Sequence, residues 1–397
     1  MTTSVVIAGA GHAAGQVVAT LKQKKFSGQI VLLGDEPYLP YQRPPLSKKF
    51  LAGELDAERL HFKPSTFYDE ENIDVHLRTR VEAIERDEQI VRTDDGQSIA
   101  YDKLVLALGS RARQIPVEGQ ALDGVFYLRD IADVDAIRAE IAANKKLVIV
   151  GAGYIGLEVA AVSRKLGLDV TVVEMADRVM SRVVSPQVSA FFQQHHESQG
   201  VEFRLSSGVQ AIRGNERVSA VEVDGGELID TDIVIIGAGI VPNTELAAAA
   251  GLAVDNGIAV DERCQTSDPN ILAVGDCTSH PCGVYDRRVR LESVHNALEQ
   301  AKTAASNICG DELVYSQVPW FWSDQYDLKL QIAGLSEGYD QTVLRGDPND
   351  GQFACLYLKN GVLIAVDAIN SPREFMQGKK LIAEQAVVDL ATEPDSP

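Results

Sequence analysis

The sequence has no apolar run near the roughly 18 residues that a membrane-spanning helix requires, so no such helix is expected in its 397 residues. It passes almost at once into a strand-like segment, Val5-Val6-Ile7-Ala8, and no signal peptide is expected either. Cysteine is scarce. The five present, Cys264, Cys277, Cys282, Cys309 and Cys355, are odd in number and scattered. That pattern argues against a disulfide framework and for reduced thiols in a cytoplasm. No four-cysteine iron–sulfur spacing exists, and no metal site is expected. Positive charge is short as well: 37 Lys and Arg against 57 Asp and Glu leave a formal charge of -20. Such a balance disfavours nucleic acid or an anionic membrane as the main partner. An acidic protein partner would need a local basic patch.

What is present repeats. Residues 4–36 and residues 147–178 each read as a short apolar strand, a glycine turn, an amphipathic helix and a second apolar strand ending in an acid. That is a βαβ unit twice over, and continuous Val/Ile/Leu runs are what parallel strands buried on both faces need. Each unit is followed by another apolar run ending near glycine, Leu104-Val105-Leu106-Ala107-Leu108-Gly109 and Ile233-Val234-Ile235-Ile236-Gly237-Ala238-Gly239, with Pro116 or Pro242 shortly after. Ala107 and Gly239 are therefore candidate cofactor-contacting positions. The chain is too long for one core. The expected fold is α/β: two Rossmann-like dinucleotide-binding domains plus a small α+β C-terminal domain. The first domain takes residues 1–112 and 240–318, because Ile271-Leu272-Ala273-Val274-Gly275-Asp276 reads as one more strand ending at a ligand. The second spans 113–239 and the third 319–397, with strands at 329–333, 353–358 and 362–368, a helix over 371–391 and a frayed tail at 392–397.

A pyrophosphate must approach backbone closely. Glycine removes the Cβ atoms in its way, and a helix N-terminus supplies unpaired N–H donors and a positive dipole end. Gly151-x-Gly153-x-x-Gly156 fits this, and so does Gly9-x-Gly11-x-x-Ala14, with Ala14 as the small third residue. One such motif is weak; two in strand–turn–helix settings are strong. Glu174 ends the second strand of the second unit, where a carboxylate accepts both ribose hydroxyls of NAD and repels a 2′-phosphate, so NADH is preferred over NADPH. Arg178, four residues on, would soften that preference or be a surface charge. In the first unit Asp35 or Glu36 would hold the adenosine ribose of FAD, and Asp35, next to Gly34, is favoured.

These residues, with Arg43-Pro44-Pro45-Leu46-Ser47-Lys48, Tyr154-Ile155-Gly156-Leu157-Glu158-Val159-Ala160, Gln265-Thr266-Ser267-Asp268-Pro269, Ala273-Val274-Gly275-Asp276-Cys277, Glu292-Ser293-Val294 and Pro319-Trp320-Phe321-Trp322-Ser323-Asp324-Gln325, make the chain resemble the FAD-dependent ferredoxin reductases of the glutathione-reductase-like superfamily. The resemblance covers essentially the whole chain. It implies hydride transfer from NADH to FAD, then single electrons to a 2Fe-2S ferredoxin serving a haem-thiolate monooxygenase. Reductases of aromatic-ring dioxygenases and rubredoxin reductases are near alternatives. FAD would be held by Ala13, Asp35, Arg43, Lys48, Val81, Arg129, Asp276 and Val294. A Lys48–Glu158 ion pair would lie near the flavin N5, with Lys48 approaching from the other domain. Trp322 would close over the flavin and nicotinamide or meet the ferredoxin; its plainer reading is a core tryptophan.

The same resemblance, with position in the chain, offers Lys302 and the pair Lys379-Lys380, expected to open the C-terminal helix, as ferredoxin contacts. Arg287, Arg288 and Arg290 form a denser run, but alternate residues of a strand point opposite ways. Docking would be transient, electrostatic plus apolar, on a monomer or weak dimer. Disulfide reductases of this superfamily carry CxxxxC soon after the first βαβ unit. Here residues 39–51 read LPYQRPPLSKKFL and hold no cysteine, which also removes a peroxidase reading. The Cys277…Cys282 spacing falls after the Gly275-Asp276 strand and is read as chance. A DNA-binding redox signalling role would want a basic surface; monodehydroascorbate reduction is an enzymatic rival.

Overall fold

The computed structural model describes residues 3–388, in two compact units. The first gathers the chain through Arg43, Ala57–Arg111 and Val241–Pro319; the second gathers Pro44–Asp56, Ala112–Ile240 and the chain from Trp320 on. The segment Pro44–Asp56, assigned by sequence to the first domain, groups with the second unit.

The first unit is built on a parallel sheet in the order Ile271–Ala273, Lys103–Leu106, Ser4–Ala8, Gln29–Gly34, Asp74–Leu77. Successive side chains of a strand point to opposite faces, and here both faces are covered. Val5, Ile7, Ile30, Leu32 and Val105 join a core with the helices His12–Gln23 and Val294–Ile308. Val6, Ala8, Val31, Leu33, Leu104 and Leu106 pack on the opposite side with Ile84, Val91, Ala247 and Leu252. Both faces of these strands therefore need apolar side chains, which is why the sequence shows runs rather than alternation. Val294–Ile308 packs along His12–Gln23, and its Ala297, Ala301, Ala304 and Ala305 lie in this core, small residues that let it lie close.

The second unit repeats the plan: Glu202–Arg204, Asp169–Val173, Lys146–Val150, Ile233–Ile236, Val125–Tyr127. The difference is in the outermost strand. In the first unit it comes late in the chain, at Ile271–Ala273; in the second it precedes the βαβ unit, at Val125–Tyr127. A three-stranded antiparallel sheet accompanies each, Val81–Glu85 to Ser98–Ala100 in one and Val209–Gly214 to Leu228–Asp230 in the other.

The second unit also holds a five-stranded antiparallel sheet in the order Trp320–Gln325, Leu328–Gly334, Val362–Ile369, Gln352–Lys359, Gln341–Asp347, with the helix Pro372–Ala383 beside it. The fold class is thus α/β with two dinucleotide-binding sheets and a C-terminal α+β element. One expectation is corrected. The helix expected over 371–391 stops at Ala383, because Gln385 takes a left-handed backbone (φ 50°) and the chain turns back. Leu363 N–H then donates to Ala386 O and Val388 N–H to Gly361 O, so the β-branched Val387 joins a sheet edge. Lys379-Lys380 accordingly lie toward the end of that helix and do not open it. The last residues of the expected helix, 389–391, and the tail 392–397 lie outside the described residues.

Among the described residues no helix is long and apolar enough to cross a membrane, and no group of three His, Cys, Asp or Glu is placed to hold a metal ion. All five cysteines are free.

Candidate functional site

In the first unit the turn after Ser4–Ala8 places Gly9 with φ 109°, a conformation open to glycine, and a Cβ there would stand 2.2 Å from Ala107 O. Gly9 lets the two strand ends meet. Gly11 is different. Its φ of -90° suits any residue, and no atom lies within 4 Å of where its Cβ would be. Nothing in the protein itself demands glycine there. The helix His12–Gln23 that it opens has no side-chain N-cap, whereas Asp130, Ser185 and Ser293 cap theirs. Open space before uncapped N–H donors is the arrangement a pyrophosphate fits.

Around that turn, Ala13 and Ala14 are buried, and Gly275 sits within 3.4 Å of Ala13 measured from an added Cβ. Asp276, following Gly275, accepts a hydrogen bond from Ser110 Oγ at 2.9 Å. Val294 begins its helix directly after the Ser293 cap, and Val81 begins the strand Val81–Glu85. Of the two candidate acids, Glu36 accepts from Tyr41 at 2.6 Å and pairs with Arg43, whose guanidinium also lies 5.0 Å from the Tyr41 ring centre. Asp35 is exposed and meets Arg80 at 3.7 Å.

The second unit reproduces the turn. Gly151 has φ 106° with Gly237 O in the way of any Cβ at 2.6 Å, and Gly156 would put a Cβ 2.1 Å from Gly151 O. Gly153, like Gly11, has ordinary φ (-77°), open space and no side-chain cap. Glu174 reaches this turn: its carboxylate accepts from Ala152 N–H at 2.7 Å and Ala176 N–H at 2.9 Å. The units are offset here by one residue. Gly9 N–H bonds Leu33 O as Gly151 N–H bonds Val173 O, so Gly34, not Asp35, occupies the position of Glu174. A side chain at Gly34 would stand 2.5 Å from Ala10 Cβ, and the first acid of this strand end is the next residue, Asp35. Arg178 donates to Ser181 O and Val184 O at 2.6 and 2.9 Å and is tied to its own loop. Gly239 (φ 94°) accepts from Arg113 N–H, and Arg129 precedes the Asp130 cap of Ile131–Glu140.

Lys48 and Glu158 also lie in this unit, and they pair: Nζ to Oε2 is 2.7 Å. Glu158 sits on Tyr154–Lys165, the helix that the second turn opens, and is 1% exposed. A buried carboxylate needs hydrogen bonds as well as a counter-charge. It has both, accepting from Ser47 Oγ at 2.5 Å and Ser323 Oγ at 2.6 Å. Ser323 belongs to Trp320–Gln325, where Phe321, Ser323 and Gln325 share one face. Phe321 packs on Tyr154 at 4.7 Å between ring centres. Trp322 lies on the opposite face, half-buried and 5.5 Å from Trp320. Sequence reasoning missed Ser47, Ser323, Gln325 and His196; the polar–aromatic alternation of the strand was the available signal.

The cysteines offer no redox pair. Cys277 is fully buried and its thiol is pushed up to about 11 by desolvation; burial raises Cys282 and Cys264 too. Among the basic candidates, Lys302 pairs with Glu299 at 2.6 Å, and Lys379 stands 5.8 Å from the centre of the Trp320 ring. Arg288 donates to Val260 O at 2.9 Å and Arg290 pairs with Glu292 at 2.7 Å.

Comparison with known proteins bears on this arrangement. A model of the pyridine nucleotide-disulphide oxidoreductases matches residues 3–301, and one described as reductase C-terminal matches 320–396. The chain is 43% identical to a ferredoxin–NAD(P)(+) reductase of Sphingomonas sp., over 99% of this chain and 96% of that one. It is 44% identical to putidaredoxin reductase of Pseudomonas putida, over 97% and 93%. Among solved structures it matches the covalent putidaredoxin reductase–putidaredoxin complex with a TM-score of 0.95 at 43% identity, covering 98% of this chain and 94% of that one.

Proposed function

The chain belongs to the pyridine nucleotide-disulphide oxidoreductase family, and on that premise we propose that it is an NADH-dependent ferredoxin reductase. The carrying observation is a pair of uncapped glycine turns with open space before them, one in each unit, with no cysteine in the segment after the first. Its cofactors are FAD and NAD(H). FAD supplies the chemistry that matches a two-electron hydride donor to a one-electron acceptor. The protein binds, orients and tunes charge.

In this reading the first unit is the FAD-binding domain. Gly9 and Gly11 admit the pyrophosphate to the N–H groups at Ala13 and Ala14, Asp35 accepts the adenosine ribose, and Asp276 accepts ribityl hydroxyls. Arg43, Val81, Ala107 and Val294 complete that set, and Arg129 and Trp322 are further candidates for FAD contact. Gly151, Gly153 and Gly156 receive the NADH pyrophosphate, with Gly239 at the neighbouring strand end. Glu174 is already held toward its turn by Ala152 N–H and accepts ribose hydroxyls, which sets NADH above NADPH. Lys48, fixed by Glu158, supplies positive charge where negative charge develops during transfer.

The acceptor in this proposal is a 2Fe-2S ferredoxin of a haem-thiolate monooxygenase, met in a transient complex by a cytoplasmic monomer or weak dimer. Lys302 and the pair Lys379-Lys380 are the basic contacts to try first. Steady-state reduction of purified 2Fe-2S ferredoxins and of a rubredoxin by NADH tests the assignment. Efficient turnover with a ferredoxin supports it; turnover with rubredoxin alone would move the protein to the neighbouring class.

A further inference from the structure

Behind the Lys48–Glu158 pair runs a chain of buried hydrogen bonds. Ser323 Oγ lies 2.6 Å from Glu158 Oε1, Gln325 Nε2 lies 3.1 Å from Ser323 Oγ, and His196 Nε2 lies 2.8 Å from Gln325 Oε1. Glu158 is 1% exposed, and Ser323, Gln325 and His196 are each 0% exposed. The residues come from three elements of one unit: Tyr154–Lys165, Trp320–Gln325 and Pro186–Ser198.

The chain has only one possible polarity. A carboxylate can only accept, so Ser323 must spend its single proton on Glu158. Its oxygen then accepts from the Gln325 amide NH2. That fixes Gln325 Oε1 as the far end, an acceptor, and requires His196 to carry its proton on Nε2. His196 Nδ1 is accordingly left as a buried lone pair with no partner. Burial also lowers the His196 pKa to about 4, which keeps the ring neutral.

We propose that Ser323, Gln325 and His196 are positioning residues for the Lys48–Glu158 pair, a one-way hydrogen-bond chain that locks the Glu158 carboxylate and through it the Lys48 ammonium. This rests on the reading of Lys48 and Glu158 as groups that assist flavin reduction. The Gln325 amide cannot pass a proton readily, so the chain transmits orientation and not charge.

The polarity supplies the test, through Gln325→Glu. When protonated, the introduced carboxyl group copies the amide: its O–H donates to Ser323 and its carbonyl accepts from His196. When ionised, it cannot donate and competes with Glu158 for the Ser323 proton. The titratable and charged groups around this position are His195 and His196 from Pro186–Ser198, Glu158, Arg164 and Lys165 from Tyr154–Lys165, and Tyr326 and Asp327 in the turn that follows. The facing strand presents Leu328. If the introduced group instead passed its proton to His196, it would still be a carboxylate and still fail to donate.

The experiment is anaerobic stopped-flow reduction of the FAD-loaded protein by NADH between about pH 5.5 and 9. Wild type, Gln325→Glu, Ser323→Ala, Ser323→Thr and Glu158→Gln are compared. Gln325→Glu should match wild type within about twofold at the acid end and lose about tenfold as pH rises, reversibly in one sample, with the NADH dissociation constant unchanged. Ser323→Ala should be slowed about tenfold at every pH, and Ser323→Thr should recover most of the rate. If Glu158→Gln reduces flavin as fast as wild type, the premise falls and the proposal with it. If Glu158→Gln is slow while Gln325→Glu shows only the wild-type pH profile, the premise stands and the positioning chain is refuted.

Discussion

Gly153 and Gly156 lie three residues apart in one turn, yet adding a methyl group should damage them in different ways. At Gly153 the new Cβ meets no protein atom within 4 Å, and the backbone at φ -77° is ordinary. Gly153→Ala should therefore cost folding only about 0.5 kcal/mol, the difference between glycine and alanine at a helix N-cap. The methyl group stands instead where the NADH pyrophosphate must approach. Losing one charge-assisted hydrogen bond there is worth about 2 kcal/mol, or roughly thirtyfold in the KM for NADH. At Gly156 the Cβ would lie 2.1 Å from Gly151 O, a backbone atom that cannot swing aside. Gly156→Ala must distort the turn, and a loss of about 2–4 kcal/mol of stability follows. Thermal unfolding paired with NADH oxidation by ferricyanide separates the two effects. The reasoning is refuted if Gly153→Ala keeps the wild-type KM, or if its Tm falls as far as that of Gly156→Ala.

Three further outcomes are expected. NADH should exceed NADPH in kcat/KM by about thirtyfold or more, and Glu174→Ala should erase most of that margin. The variant should also lose Tm, since Glu174 holds Ala152 and Ala176 N–H groups; an unchanged preference would exonerate Glu174. Ferredoxin reduction should slow as salt rises while dye reduction barely changes, and charge reversal at Lys302 or Lys379-Lys380 should raise only the ferredoxin KM; parallel changes in both activities would place docking elsewhere. Burial pushes Asp367 up to about 7, so the folded state holds a proton that the unfolded chain has released above about pH 4. Stability from this group is present below about pH 4 and lost as pH rises through about 7. Asp367→Asn should flatten that slope and raise Tm by a few degrees at pH 8, and equal Tm curves for both proteins would count against it.

The doubled βαβ plan was legible because burial on both sheet faces leaves continuous apolar runs, and because pyrophosphate contact leaves glycines at fixed spacing. In the C-terminal sheet the strands Leu328–Gly334, Gln352–Lys359 and Val362–Ile369 were legible, but Trp320–Gln325 and Gln341–Asp347 were not. Nor was the helix end, where a left-handed Gln385 and a bridge from Val387 to Val362 replace the helix that composition alone would extend. The acids at the strand ends could be found, yet not their one-residue offset, which shows only when the Gly9–Leu33 and Gly151–Val173 hydrogen bonds are matched. Least legible was the set behind Glu158. His196 and Gln325 stand 129 residues apart, and no spacing rule joins them; only the register of Trp320–Gln325 turns Ser323 and Gln325 toward the helices.

The most direct test of the account is a stoichiometric titration. Anaerobic NADH is added to catalytic amounts of the FAD-loaded protein and an excess of oxidised 2Fe-2S ferredoxin, and the iron–sulfur absorbance is followed. Hydride carries two electrons and the acceptor takes one, so two ferredoxins should be reduced per NADH. Consumption of NADH without iron–sulfur reduction, across a panel of such ferredoxins, would contradict it.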